Sequence, residues 1–252
     1  MKEYESCWDR SPLNNMASEA HLIVTRLDHL QLVAMLSEKA RQASELQLND
    51  HAQDLRIIGT SLSALYLAAT CHRKCYGGPH ILESLTGRAY NLGCGAYILI
   101  CRAFYDEALN LIRSIGEISN LILLSVVDKN SLRRWLEADR KTRLYEFSPM
   151  KVRQLLEVQS TPMIADRDWY SSFCDKYTHV TPATKPNLHN DKELSHAGGI
   201  FQPAGLNYSL SELATVLVSV AMPICKYFKL EDIFDDLNRT IGSEGGGEEP
   251  DS

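Results

Sequence analysis

Apolar residues recur every three or four positions along most of this chain, the spacing that places them on one face of an α-helix. The first such run extends from Met16 to about Leu48, and the second from about His51 to Ala68. No segment alternates apolar and polar residues as a half-buried β-strand does. We therefore predict an all-α protein, folded as a multi-helix bundle.

The longest and most apolar run extends from about Ala96 to Val127 and predicts one long central helix. Before it, residues 81–90 have the pattern of a short helix, and the glycines of 91–95 indicate a bend or a notch for close packing. Further helices are predicted at about 132–145, 150–158 and 166–177. Ser209 and Glu212 have the spacing of a capping box and predict the start of a last apolar helix, which ends near Phe228.

Three parts of the chain lack this helical pattern. Residues 180–206 contain three prolines and three glycines and predict a long irregular segment. We assign 1–15 as a flexible N-terminal segment and 241–252, which is acidic and glycine-rich, as a disordered tail. A single all-helical domain is predicted between them, at 16–240.

Composition narrows the class of protein. Of the 252 residues, 44% are hydrophobic and 23% are charged, a composition that excludes a largely disordered chain. The net charge of −6 argues against a protein that binds nucleic acid over its whole surface. The seven cysteines are scattered and lie mostly in apolar runs, as free thiols do in a reducing compartment. The first residues are acidic and are followed by no apolar segment, so we expect no signal peptide, and no unbroken apolar stretch reaches about 18 residues. We expect a cytoplasmic protein that does not enter a membrane.

The ionic residues of the predicted central helix lie on one narrow stripe. At 100° per residue they fall within an arc of about 60°. The stripe consists of Arg102, Asp106, Arg113, Glu117 and Asn120. Each arginine has an acid four residues later. The stripe is either the solvent edge of a mostly buried helix, or a ridge that faces a cleft or a subunit interface. In a cleft the two arginines could bind a phosphate or a carboxylate.

A second cluster of charge extends from Arg133 to Arg153, where seven basic residues face only three acidic ones and Trp135, Tyr145 and Phe147 are interleaved. Such mixtures of cations and aromatic rings are typical of nucleic-acid-binding surfaces. The alternative is a solvated pair of helices whose aromatic residues point inward. The predicted nucleic-acid-binding residues are Arg133, Arg134, Arg140, Lys141 and Arg143.

His179 is the remaining candidate for chemistry. It follows an aromatic face formed by Trp169, Phe173 and Tyr177, and a histidine near Asp175 could act as a general base. The histidine and cysteine spacings match no zinc motif, and the chain has no phosphate-binding glycine loop, nucleophile elbow or dinucleotide fingerprint. We therefore predict no metal and no cofactor.

The stretch Cys101–Ala108, continued by Arg113–Glu117 and joined to Tyr177–His179, resembles uncharacterised bacterial helical proteins related to the HEPN superfamily. The resemblance covers about residues 90–182. It implies a helical bundle that is often a homodimer. Some members are toxins or phage-defence effectors that cleave RNA without a metal, and others bind RNA, nucleotides or partner proteins without catalysis. Catalytic members have an arginine followed a few residues later by a histidine. The one match here, Arg73 to His80, spans Gly77-Gly78-Pro79, which would break the helix on which the motif normally lies.

Two functions are therefore expected. The first is a homodimeric interaction module that binds RNA or a partner protein. The alternative is a metal-independent endoribonuclease, in which His179 would be the general acid or base, Arg113 or Arg102 would stabilise the pentavalent phosphate, and Glu117 would orient the arginine.

Overall fold

The computed structural model describes residues 26–70, 75, 80–182 and 198–242. All regular structure in these residues is helical, which confirms the all-α multi-helix bundle. The helices are α1 (Arg26–Glu45), a 3₁₀ turn (Leu48–His51), α2 (Ala52–Ala69), α3 (Ile81–Cys101), α4 (Tyr105–Val127), α5 (Ser131–Glu137), α6 (Arg140–Glu146), α7 (Pro149–Val158), α8 (Arg167–Phe173), which continues into a π-helical turn (Cys174–Thr178), α9 (Pro203–Phe228) and α10 (Glu231–Gly242). The predicted N-terminal segment, most of the predicted tail and the centre of the irregular segment (183–197) lie outside the described residues.

The core forms around α9, which packs against α2, α3 and α4. Fully buried leucines such as Leu206, Leu210 and Leu213 project from α9, and Leu109 and Ile112 face the same core from α4. A smaller apolar cluster lies at the C-terminal end of α4, where Leu124 packs with residues of α5 and α7. Helix α4 therefore links the main core to the three short helices that follow it.

By length and composition alone, α4 and α9 could also cross a membrane, with mean hydropathies of 1.3 and 1.5. About half of each apolar stretch is buried inside the bundle, and the core helices of soluble proteins have the same properties. The expected cytoplasmic location stays a prediction.

The predicted single helix at 96–127 is wrong: the chain breaks between α3 and α4. Ala103 has a left-handed backbone with φ of 59° and is fully buried, and the amide N–H of Phe104 donates to the carbonyl oxygen of Leu99 at 2.9 Å. The side chain of Tyr105, the first residue of α4, is fully buried, and its hydroxyl accepts a hydrogen bond from the amide of Gln202 at 3.3 Å. Hydrophobic periodicity misses this break because both helices are equally apolar.

Of the two alternatives predicted for 91–95, a bend or a notch for close packing, the structure confirms the notch, which lies in a continuous helix. Helix α3 runs through both glycines, and a Cβ on Gly93 would lie 2.9 Å from Cδ2 of Leu62 and 3.1 Å from Cδ2 of Leu217. The glycine lets α2 and α9 approach α3 closely, so it is explained by packing and not by a turn.

Two other boundaries differ from the prediction. The helix expected at about 132–145 is divided into α5 and α6, because the carboxylate of Asp139 caps α6 by accepting from the amide of Thr142 at 2.7 Å. The capping box is also wrong: α9 begins at Pro203, and Ser209 is buried within it. Helices α2 and α7 match their predicted bounds to within one residue.

The start of α9 depends on Gly205, where a Cβ would lie 2.5 Å from Cδ2 of the buried Tyr105 ring. We expect Gly205→Ala to lower the free energy of unfolding by about 1–3 kcal/mol, since the ring has no space to move into. In the control Gly59→Ala, on the exposed side of α2, nothing lies within 4 Å of the added Cβ. That change should raise stability by about 0.5–1 kcal/mol. Urea unfolding of both variants measures the difference, and equal effects would contradict the packing argument.

Candidate functional site

Arg113 on α4 is held in a closed triangle of hydrogen bonds. Its Nη1 donates to Oε1 of Glu117 and to the hydroxyl of Tyr170, both at 2.7 Å. The Tyr170 hydroxyl in turn donates to the same Glu117 oxygen at 2.7 Å. The Arg113 side chain is only 15% exposed, so it does not lie on the solvent edge of the helix.

A second arginine lies against the same tyrosine. The guanidinium carbon of Arg153, on α7, lies 4.0 Å from the centroid of the Tyr170 ring, and that of Arg113 lies 5.1 Å from it. Both are cation–π distances. Arg153 is 8% exposed. We name Arg113, Glu117, Arg153 and Tyr170 the tyrosine–arginine cluster.

The cluster has more positive than negative charge. Glu117 pairs with Arg113, but no carboxylate of the described chain lies within ion-pair distance of Arg153. Nη1 of Arg153 and Nε of Arg113 are buried without a hydrogen-bond acceptor. Burial, and then the hydrogen bond to Glu117, raise the pKa of Tyr170 above its ordinary value, so this tyrosine stays neutral. An oxyanion would complement such a cluster.

Close packing between α8 and α4 positions Tyr170. A Cβ on Gly116 would lie 2.9 Å from Cβ of Ala165 and 3.0 Å from the Trp169 ring, so only glycine allows this approach. Nδ2 of Asn120 donates to the carbonyl oxygen of Ala165 at 2.8 Å. Asp166 caps α8 by accepting from the amide of Trp169 at 2.9 Å.

The predicted aromatic face extends from α8 into the π-helical turn. Trp169 stacks on Phe173 with ring centroids 4.0 Å apart, and Phe173 meets Tyr177 edge to face at 5.3 Å. Nε1 of Trp169 donates to Oε2 of Glu212 on α9 at 2.8 Å. This bond gives Glu212 a tertiary partner in place of the capping role predicted for it.

Arg102 lies apart from this cluster. It follows the last residue of α3, and its Nη1 donates to Oγ of Ser37 on α1 at 2.9 Å. Because the chain breaks at Ala103, Arg102 and Asp106 do not belong to one helix, and the predicted stripe is continuous only from Asp106 onward. The structure therefore does not bring the two arginines together.

His179 is exposed and directly follows the π-helical turn, where its amide donates to the carbonyl oxygen of Cys174 at 2.8 Å. The preceding residue, Thr178, donates through Oγ1 to Oδ1 of Asn110 at 3.0 Å, which anchors this segment on α4. The catalytic role of His179 stays a prediction.

The basic region forms α5, α6 and the start of α7. Arg133 pairs with Glu137 at 3.4 Å, and Arg134 pairs with Asp128 at 2.6 Å. The other three predicted RNA-binding residues are exposed and have no ion pair with any described residue. They are Arg140, Lys141 and Arg143.

The aromatic residues of this region divide between the interior and the surface. Phe147 is buried and Trp135 is half-buried, as the alternative interpretation expected, but the side chain of Tyr145 is 74% exposed. Large apolar side chains are exposed nearby, and a groove of about 340 Å³ opens beside Tyr145, Leu155 and Val158. We name the exposed part of α5–α7 the α5–α7 surface. Its exposed apolar residues are Leu136, Leu144, Tyr145, Met150, Leu155 and Val158.

Comparison with protein-family models, curated proteins and solved structures finds no match to this chain. The HEPN resemblance and the homodimer that it implies stay predictions. Among the described residues, no group of three histidine, cysteine, aspartate or glutamate side chains could hold a metal ion.

Sequence reasoning missed the roles of Arg153 and Tyr170. The composition of 133–153 places Arg153 with the exposed basic residues. In the structure, Arg153 belongs to the buried face of α7, together with Val152 and Leu156. The sequence did contain a signal for the burial of Arg153, because this arginine lies among the apolar positions of a short amphipathic helix.

We expect Tyr170→Phe to lower the free energy of unfolding by about 1–3 kcal/mol, because the lost hydroxyl forms hydrogen bonds with both Arg113 and Glu117. Phenylalanine keeps the aromatic ring that both arginines contact. Tyr145→Phe is the matched control, since its side chain is mostly exposed, and should change stability by less than about 0.5 kcal/mol. Urea unfolding at neutral pH measures both. Equal losses in the two variants would show that the triangle around Arg113 contributes nothing.

Proposed function

We propose that this protein is a helical interaction module that binds RNA through the α5–α7 surface. The observation that supports this function best is the group of three exposed cations, Arg140, Lys141 and Arg143, which have no ion pair in the described chain and adjoin the exposed Tyr145. Exposed cations that form no ion pair can bind phosphates, and an exposed aromatic ring offers a stacking surface for a base.

Local charge supports the same function. Residues 133–153 contain seven bases and three acids, although the whole chain has a net charge of −6. A basic patch in an otherwise acidic protein confines a polyanion to one place on the surface, because the remaining surface repels it. We expect single-stranded RNA to be preferred, since an exposed tyrosine can stack only on an unpaired base.

We further propose that the module is a homodimer. The resemblance to the HEPN superfamily supports this state, since it implies a helical bundle that is often a homodimer. Size-exclusion chromatography with light scattering tests it: we expect the mass of two chains, and the mass of one chain would contradict the proposal.

Metal-independent endoribonuclease is the weaker candidate. That chemistry was assigned to Arg102, Arg113, Glu117 and His179, but Arg102 is bonded to α1 and Arg113 to α8. The binding function needs no such assembly and depends only on exposed groups.

The RNA proposal is tested by reversing two of the unpaired charges in the variant Arg140→Glu/Arg143→Glu. We expect its affinity for a fluorescein-labelled oligouridylate to fall at least about tenfold near physiological salt. The slope of log affinity against log salt should become shallower by about 1 to 1.5, because two phosphate contacts are lost. Fluorescence anisotropy at several salt concentrations measures both quantities.

The matched control is Lys39→Glu/Lys226→Glu, which makes the same change in net charge on α1 and α9. It should keep most of the affinity and the original slope. If both double variants lose affinity equally, binding reflects net charge and not this surface. If the wild-type protein does not bind the oligonucleotide, the RNA proposal is wrong.

A further inference from the structure

Arg153 is a buried cation without a counter-charge in the described chain. Its side chain belongs to the buried face of α7 and stacks on Tyr170 at 4.0 Å, and the residue is 8% exposed. Its Nη1 has no acceptor, and no described carboxylate lies within ion-pair distance. A buried charge costs several kcal/mol unless it is paired and hydrogen-bonded, so an arginine in this position needs an explanation.

The neighbouring groups do not supply the missing negative charge. Glu117 is the carboxylate of the cluster, and its Oε1 already accepts from both Arg113 and Tyr170. Tyr170 stays neutral, and its ring lies within 5.1 Å of both guanidinium carbons. The two arginines and one glutamate thus have a net charge of about +1 when all three are ionised.

Unused hydrogen-bond donors also remain beside this charge. Nη1 of Arg153 and Nε of Arg113 are both buried N–H donors without acceptors, and they belong to the two guanidinium groups that lie against Tyr170. The guanidinium group presents its N–H donors in a planar fork that matches two oxygens of a phosphate. The cluster reaches solvent at Glu117, whose side chain is 32% exposed, and at the partly exposed Tyr170.

We propose that the tyrosine–arginine cluster is a binding site for a phosphate group, held by Arg153 and Arg113 at the edge of Tyr170. The phosphate would accept hydrogen bonds from the free guanidinium N–H groups and neutralise the excess charge. The ligand is inorganic phosphate or the phosphate monoester of a small molecule. This inference does not depend on the RNA proposal, because Arg140, Lys141 and Arg143 are not part of the cluster.

The test uses the full-length protein and inorganic phosphate as the probe, with chloride at the same ionic strength as the reference. We expect phosphate to raise the thermal midpoint of the wild-type protein in a saturable way. In Arg153→Gln, isothermal titration should give an affinity for phosphate at least about tenfold lower, which corresponds to the loss of charged hydrogen bonds. The matched control, Arg133→Gln, removes an exposed arginine that is paired with Glu137 and should bind phosphate like the wild type.

A second variant is needed in case Arg153→Gln does not fold. Arg153→Lys keeps the positive charge but loses the planar fork, so it should fold and bind phosphate with clearly reduced affinity. The inference is overturned if phosphate stabilises the wild-type protein no more than chloride does, or if Arg153→Lys binds phosphate as tightly as the wild type.

The source of the phosphate group is distinguished by titrating uridine 5′-monophosphate under the same conditions. Tighter binding than that of inorganic phosphate assigns the site to a phosphate monoester, and weaker binding assigns it to free phosphate. Both results support the proposal, provided that Arg153→Lys reduces the affinity.

Repeating the titration with Arg140→Glu/Arg143→Glu separates this site from the α5–α7 surface. That variant should bind inorganic phosphate as the wild type does, although its affinity for RNA is lowered.

Discussion

The arrangement of this molecule depends on how closely α8 approaches α4. Gly116 presents no side chain to α8, so Ala165 and Trp169 pack directly on the helix, and the Asn120 amide bonds the carbonyl of Ala165. This contact places Tyr170 beside Arg113 and under Arg153. A larger residue at position 116 would push α8 away and separate the groups that surround the tyrosine.

The two arginines beside Tyr170 differ in their electrostatic environment. Arg113 has Glu117 and the Tyr170 hydroxyl as hydrogen-bond partners, so most of its charge is compensated within the protein. Arg153 has an aromatic ring as its neighbour and no described carboxylate. A cation–π contact compensates only part of the cost of burying a charge. This difference makes Arg153, and not the more fully paired Arg113, the residue that implies a ligand.

Positive charge therefore occurs in two separate settings. On the α5–α7 surface it is solvated and adjoins exposed apolar groups, which suits a long polyanion or a protein partner and makes binding depend on salt. In the tyrosine–arginine cluster the two arginines are mostly buried, which would strengthen each hydrogen bond to the proposed ligand and restrict that ligand to a small group. Helix α7 contributes to both settings, because Lys151 lines the groove of the surface while Arg153 is buried against the Tyr170 ring.

Residue periodicity was enough to predict the helical class and the bounds of α2 and α7, helped by the proline at the start of α7, and the basic composition of 133–153 is read directly from the chain. Only the tertiary structure decided where the longest apolar run breaks, since the left-handed backbone at Ala103 is fixed by burial and not by local preference. It also decided which arginines are exposed and which are buried. Arg140 and Arg153 are the same residue type in one basic stretch, but Arg140 is exposed whereas Arg153 is buried against the Tyr170 ring of α8.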